Sequence, residues 1–313
     1  MMRLPVTSRN KFAIALRRIV VWLALLSGAA VAAGIPLAEV RPLATLSEGL
    51  ALPSDVAVGR NGHVYVVDSG NHRIAVFERS GKRLSTFAKQ GSGPGQLRDP
   101  VGIGIDPSGQ VYVADKGNHR LQIFTADGTY VRSLPLKVAG KEVAPIDVAI
   151  DASGKTVYVT GNNNHQVMAF SPEGKLLHQW GGEGMMRGEF RYPATLAIGA
   201  DARVYVVDIL NSRVQVRDAR GQIFMVGEWG VLPGQLFRPK GVALDRQGRV
   251  YISDSYLDVV QVFNSDYTFL HVLGSGDQPH AFTSAAGISI DSENRLYVAE
   301  MLKNRVTVFE LPP

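Results

Sequence analysis

The phrase VYVVDSGNHRIAVF, Val64 to Phe77, returns with few changes as VYVADKGNHRLQIF, Val111 to Phe124. Looser copies follow. Aligned on the proline that opens each unit, they start at Pro53, Pro100, Pro145, Pro193 and Pro239, with Ala285 in the sixth place. The offsets are 47, 45, 48, 46 and 46 residues. Self-similarity at a fixed period of this size means one supersecondary unit stacked on itself, each copy burying the face its neighbour leaves open. No other feature of the chain narrows its fold so far.

Each unit reads alike. In the second, an apolar segment with small residues (VGIGID, Val101 to Asp106) meets a turn (PSG, Pro107 to Gly109), then an alternating strand (VYVAD) and a polar turn (KGNH, Lys116 to His119). A second alternating strand (RLQIF), a Gly-containing turn (TADG, Thr125 to Gly128) and a last strand (TYVRSL) complete it. Period-two alternation interrupted by Gly, Asp and Asn is the signature of antiparallel hairpins. No segment after residue 38 has a helical period. Four strands per unit make a blade, and six blades predict an all-β, six-bladed propeller. The sixth unit reaches Pro313 after only three strands, so the early segment AEVRPLATL, Ala38 to Leu46, is expected to supply its fourth and close the ring.

A proline, a GIAVD-like segment and then VYVAD..NHR.QVF resemble the NHL repeat of exported bacterial-type propeller proteins, most nearly in units one and two. The resemblance extends over residues 52 to 311 and gives the division 1–33, leader; 34–51, linker and ring-closing strand; 52–313, NHL-type propeller. It specifies function weakly, because related propellers include protein-binding sensors, RNA-binding modules, peptide-amidating lyases and lactone hydrolases. The amidating-lyase branch carries metal-binding histidines on its inner strands, and none of the six opening segments here contains one. The lactonase-like branch holds calcium with inner acids and Asn, which this sequence matches only in part.

The formal charge of +5 does not imply nucleic acid. Arg3, Arg9, Lys11, Arg17 and Arg18 are the only charges before Glu39, and removing those 5 from 33 basic residues leaves 28 against 28 acidic ones. These charges precede an apolar run, Ile19 to Ala33, with an A-x-A-like Ala30-Val31-Ala32. That pattern is a signal peptide or an uncleaved N-terminal anchor, so the protein is expected to be secreted or periplasmic, touching membrane only through that segment. Without cysteine it has no disulfide, thiolate metal ligand or lipidated cysteine.

The turn residues Asp68, Asn71, His72 and Arg73 recur as Asp115, Asn118, His119 and Arg120, and a role repeated across units is architectural. His72, His119 and His165 cannot share a metal: at the third strand of adjacent blades they stand roughly 15 Å apart, far beyond zinc's reach of about 2 Å. The glycine-rich connectors at 91–97, 181–190 and 230–237 lead from strand to strand, so they are crossovers rather than phosphate loops.

The copies disagree where ligands usually meet a propeller. Two residues after the proline they read Asp55, Gly102, Asp147, Thr195, Gly241 and Gly287; one residue earlier only Lys240 is charged. Asp55 and Asp147, with backbones about 12 Å apart, are expected either to face a divalent cation such as calcium at the axis or to end their own inner loops. Lys240 would then hold an anionic group or lie solvated. The third unit also breaks the turn motif, with Thr160 for the acid and Asn163 and Asn164 in a lengthened turn. Met185, Met186, Phe190, Trp229, Phe237 and Phe282 on the crossovers form a semi-apolar rim for a protein partner, or, for the aromatics, plugs between blades. The reading that follows is a monomeric scaffold that binds a protein or cell-envelope ligand. The alternative is a metal-dependent lyase or hydrolase at the channel mouth.

Overall fold

VYVVD and RIAVF form strands Val64–Asp68 and Arg73–Phe77, paired antiparallel from Val64 opposite Phe77 to Asp68 opposite Arg73. The computed structural model describes residues 34–312. The leader expected over 1–33 lies outside the described residues. In the body, the same hairpin recurs in every unit, flanked by an inner and an outer strand, to give six antiparallel blades. The inner strands are Pro53–Val58, Pro100–Ile105, Pro145–Ile150, Pro193–Ile198, Pro239–Leu244 and Ala285–Ile290. Each touches the next, and the sixth touches the first. Among the described residues the only helical pieces are single 3₁₀ turns such as Ser69–Asn71.

The ring closes as the sequence implied. Arg41–Leu46 runs antiparallel to Arg305–Glu310 as the outer strand of blade six, Leu46 opposite Val306. One detail differs. The segment is not a single strand: Leu37–Glu39 lies parallel to Phe269–Ser275 of blade five, and Val40, buried at the step, donates its N–H to Gly274 O at 3.0 Å. The N-terminal segment thus bridges two blades.

Packing is between blades rather than within them. One core cluster joins Val56, Val66 and Phe77 of blade one to Tyr297, Ala299 and Val308 of blade six, with Leu46 from the closing strand. A tyrosine stands in each second strand as a wedge, buried at Tyr65, Tyr112, Tyr205, Tyr251 and Tyr297 and half-buried at Tyr158 of blade three, and Tyr65 OH donates across to Ala126 O of blade two at 2.9 Å. Burying six such faces in sequence is what the repeat achieves without disulfides.

Two further repeated positions hold the crossovers. Leu50, Leu97, Phe190, Leu236 and Phe282, each three residues before the opening proline or its Ala285 counterpart, are buried. Phe190 and Phe282 are therefore interblade plugs and leave the proposed rim. The second position follows the turn of each blade and adopts left-handed backbone: His72, His119, His165, Ser212, Asp258 and Asn304, with φ between 51° and 56°. This conformation disfavours non-glycine residues, and a latch to the next blade offsets its cost. His72 Nδ1 accepts the Asp99 N–H at 3.1 Å, His165 Nδ1 that of Tyr192 at 3.2 Å, Asp258 that of Ser284 at 3.1 Å, and Asn304 that of Leu52 at 2.8 Å. Ser212 reaches Phe237 O instead, at 2.9 Å. His119 is the exception, its Nδ1 buried without a partner.

Candidate functional site at the channel mouth

The repeated turn acids are consumed by structure. Asp115, fully buried, accepts the Arg98 N–H at 2.7 Å, Asn118 Nδ2 and Arg120 Nε at 2.8 Å and Gln122 Nε2 at 3.1 Å. Asp208 repeats the set with Arg191 N–H, Asn211, Arg213 and Gln215. Blade six uses Glu300 with Arg305, Thr307 and the Thr283 N–H. Burial pushes the Glu300 carboxyl up, but these donors and Lys303 outweigh it and hold it down at about 2. A carboxylate with every lone pair engaged positions the crossover and has none left for chemistry.

The inner strands provide the exceptions. In every one of them the pairing register slips between the opening residue and the third or fourth, as between Pro53 and Asp55 or Pro145 and Asp147. A bulge there turns the side chains out of the regular pleat. Asp55 Oδ2 accepts the Ile103 N–H of blade two at 3.0 Å. Asp147 Oδ1 accepts its neighbour Val148 N–H, and Oδ2 the Leu196 N–H of blade four, both at 2.8 Å. Each carboxyl therefore reaches over the next blade, and the two meet: a side-chain hydrogen bond joins Asp55 to Asp147.

Glycine makes the meeting sterically feasible. A Cβ at Gly102, in the blade between them, would stand 2.3 Å from Asp147 Oδ1, and one at Gly287 would stand 2.0 Å from Asp55 Oδ1. Burial, with relative exposures of 6% and 4%, raises both carboxyls far above the ordinary range. The Asp147 charge raises Asp55 further, while the bond from Asp55 and two amides restrain Asp147, which stands at about 7. Asp55 holds the proton and donates it to Asp147. Two carboxylates this close cannot both ionise.

Below the pair the inner strands enclose a cavity of about 250 Å³. Small residues, among them Gly104, Ala149, Ala197 and Ser289, line its middle, and Ile105, Ile150, Ile198, Leu244 and Ile290 its far end. Thr195, at the level of the pair, gives its hydroxyl to Lys240 O at 2.7 Å. A calcium shell does not fit these residues. Among the described residues no three His, Asp or Glu side chains converge. Two carboxyls already engaged by amides fall short of the six to eight oxygens calcium takes.

The other candidates lie apart. Asn163 is tied to its own connector, accepting the Ala144 N–H and donating to Glu142 O, both at 2.9 Å. Asn164 donates to Gln166 at 3.2 Å and leaves its Oδ1 buried without a partner. Met185, Met186 and Trp229 are 67%, 72% and 71% exposed on the crossovers into blades four and five. Beside Trp229, Phe237 stacks on Tyr256 with centroids 4.2 Å apart. Tyr256, half exposed, is the residue the sequence reading missed; it sits in SYLDVV, where blade five departs from the motif.

The NHL repeat model matches residues 50–77 and 97–124. Among solved structures, virginiamycin B lyase from Staphylococcus aureus is 16% identical, with 82% of this chain and 80% of that one covered and a TM-score of 0.57. A gluconolactonase from Xanthomonas campestris is 17% identical over 89% and 91%, TM-score 0.63. A Bacteroides thetaiotaomicron protein of unknown function is 15% identical over 88% and 75%, TM-score 0.67. At these identities the likeness is one of fold.

Proposed function

We propose that this chain, which carries NHL repeats on a six-bladed propeller, is an exported binding module that captures a protein partner on its crossover face. The observation that carries the reading is the exposure of Met185, Met186 and Trp229 on successive crossovers. The residues at the repeated plug positions of the same loops, Phe190 and Leu236, are buried, so this exposure is not a default of crossover geometry. Flexible methionines and a large aromatic gathered on one face suit protein contact. Export rests on the basic and apolar pattern of residues 1–33. The test is co-purification from cell-envelope extracts, comparing wild type with a Met185→Asp/Met186→Asp double variant and with Trp229→Ala. The reading expects a discrete partner that is lost in both variants; retention in both would contradict it.

The Asp55–Asp147 pair favours a second reading. A shared proton held near neutrality is the equipment of general acid–base hydrolysis. Lactone or ester turnover that disappears in Asp147→Asn, with the fold intact, would support it over the scaffold.

A further inference from the structure

The seam between blades four and five departs from the repeat in two places at once. The turn before the outer strand carries glycine on left-handed backbone in the first four blades, at Gly81, Gly128, Gly174 and Gly221, with φ of 97°, 88°, 93° and 85°. Blade five places Tyr267 there, at φ 74°, its N–H bonded to Asn264 O at 2.9 Å as that of Gly128 is to Thr125 O. A bulky residue in this region is a backbone outlier, and such outliers cluster at ligand clamps. The other side of the seam changes with it. Phe87, near the end of the outer strand of blade one, fills the seam to blade two: a Cβ at Gly128 would stand 2.5 Å from its Cγ, and its ring lies 5.0 Å from that of Phe124. The residue in the same register of blade four is the smaller Val226.

At this seam lies a cavity of about 380 Å³, walled by Phe263, Tyr267, Phe269, Leu232 and Pro233. Phe263 and Phe269 meet edge to face, with centroids 5.8 Å apart. Glu228 is the one charged side chain among the described residues that line it. Gln235 Nε2 donates to Glu228 Oε1 at 3.1 Å, and Gln235 Oε1 accepts the Leu232 N–H at 3.2 Å, so the carboxylate is tied to the crossover that forms the wall. No cation among the described residues pairs with Glu228. The equivalent residue is Lys89 on the crossover into blade two and Gly182 on that into blade four, so the acid belongs to this seam. Arg203 lies over Tyr267, 6.0 Å from the ring centroid, and donates to its hydroxyl at 2.8 Å. It does not line the cavity, and Asp201 meets its charge at 3.2 Å.

We propose that the seam between blades four and five is a binding pocket for a small organic cation, an ammonium on an aromatic body, with the body against Phe263, Phe269 and Leu232 and the charge at Glu228. The volume lies within the roughly 300–1,000 Å³ that whole small ligands fill. Three aromatic rings supply apolar area and, through their faces, attraction for a cation, and an anion would meet the Glu228 charge. A mostly apolar wall with one oriented polar group is the make-up of a small-molecule site. The pocket is independent of the protein-docking reading: Met185, Met186 and Trp229 do not line it, and it is measured without a partner.

The test is calorimetric titration of the full chain at neutral pH and low ionic strength with 2-phenylethylamine, 2-phenylethanol and phenylacetate. The three share a ring and differ in charge. One saturable site is expected for the amine, about fivefold or more tighter than for the alcohol, and none for phenylacetate. Glu228→Gln brings the amine down to the level of the alcohol and leaves the alcohol unchanged. Tyr267→Gly, which restores the residue of the other blades, weakens amine and alcohol alike. Glu183→Gln, at an exposed acid on the preceding crossover, changes neither. Melting temperature confirms that each variant is folded, and the exposed Glu228 keeps the test open should Tyr267→Gly fail to fold. Absence of saturable amine binding overturns the proposal, as does equal affinity for amine and alcohol or an undiminished amine affinity in Glu228→Gln. Tighter binding of Nα-acetyl-lysine amide, a charged chain without a ring, also overturns it and assigns the pocket to a basic side chain of a docked protein.

Discussion

Asp55 and Asp147, two blades apart in the ring, meet across Gly102 and share a proton at the top of the central channel. The pair sets a pH dependence. Raised folded-state values mean that the native protein binds protons the unfolded chain releases. The stability this contributes is fully present below the ordinary aspartate value of 3.8 and is lost as pH rises through about 7. Chemical denaturation from pH 4 to 8 should show stability falling over that range. Asp147→Asn should flatten the fall and raise stability at pH 8 by on the order of 1–3 kcal/mol.

Glu300 acts in the opposite direction. Its carboxyl, held at about 2 against an ordinary 4.5, contributes stability that is present above 4.5 and lost as pH falls through that window. Glu300→Gln should therefore lower stability at pH 6 and make the fall in stability below pH 4.5 shallower than in wild type, read by chemical denaturation at pH 6 and at pH 3.

Gly102 cannot accept a side chain. A Cβ there would stand 2.5 Å from Ile146 O and 2.6 Å from the Asp147 Cα, both backbone atoms, as well as striking the Asp147 carboxyl. Gly102→Ala should cost roughly 2–3 kcal/mol in equilibrium unfolding and abolish the pH dependence of the pair. Gly140→Ala, where nothing lies within 4 Å, is the comparison, although its φ of 78° carries a small strain of its own.

The closing strand is structural. Leu46 is fully buried between blades six and one, so Leu46→Ala should cost about 2–5 kcal/mol. Deleting residues 37–46 should cost much more, because blade six would lose its outer strand and blade five the strand laid parallel on it. Thermal unfolding reads both.

How much of this was legible follows from periodicity. A residue whose role repeats is visible by comparing copies, so the blades, the crossovers and the closing of the ring by Arg41–Leu46 could be read from spacing alone. The plug three residues before the opening position was visible the same way in five of the six blades, blade three carrying exposed Glu142 instead: Leu50, Leu97, Phe190, Leu236 and Phe282 align, and that alignment argues against an exposed Phe190 or Phe282. The latch at His72 was harder to read, because blades use His, Ser, Asp and Asn for one backbone task. The meeting of Asp55 with Asp147 was not legible. A regular inner strand keeps their backbones about 12 Å apart, and only the bulge and the empty space over Gly102 bring the carboxyls together. The parallel pairing of Leu37–Glu39 likewise has no counterpart elsewhere in the repeat.

A protein docked on the crossover face of blades three to five would lie against Met186 and Trp229. A photo-crosslinking amino acid placed in cells at Met186, at Trp229 and, on the opposite end of blade two, at Ser108 tests it directly. The account predicts one discrete adduct from Met186 and Trp229 and none from Ser108. Equal labelling from all three positions, or none from either rim position, would contradict it.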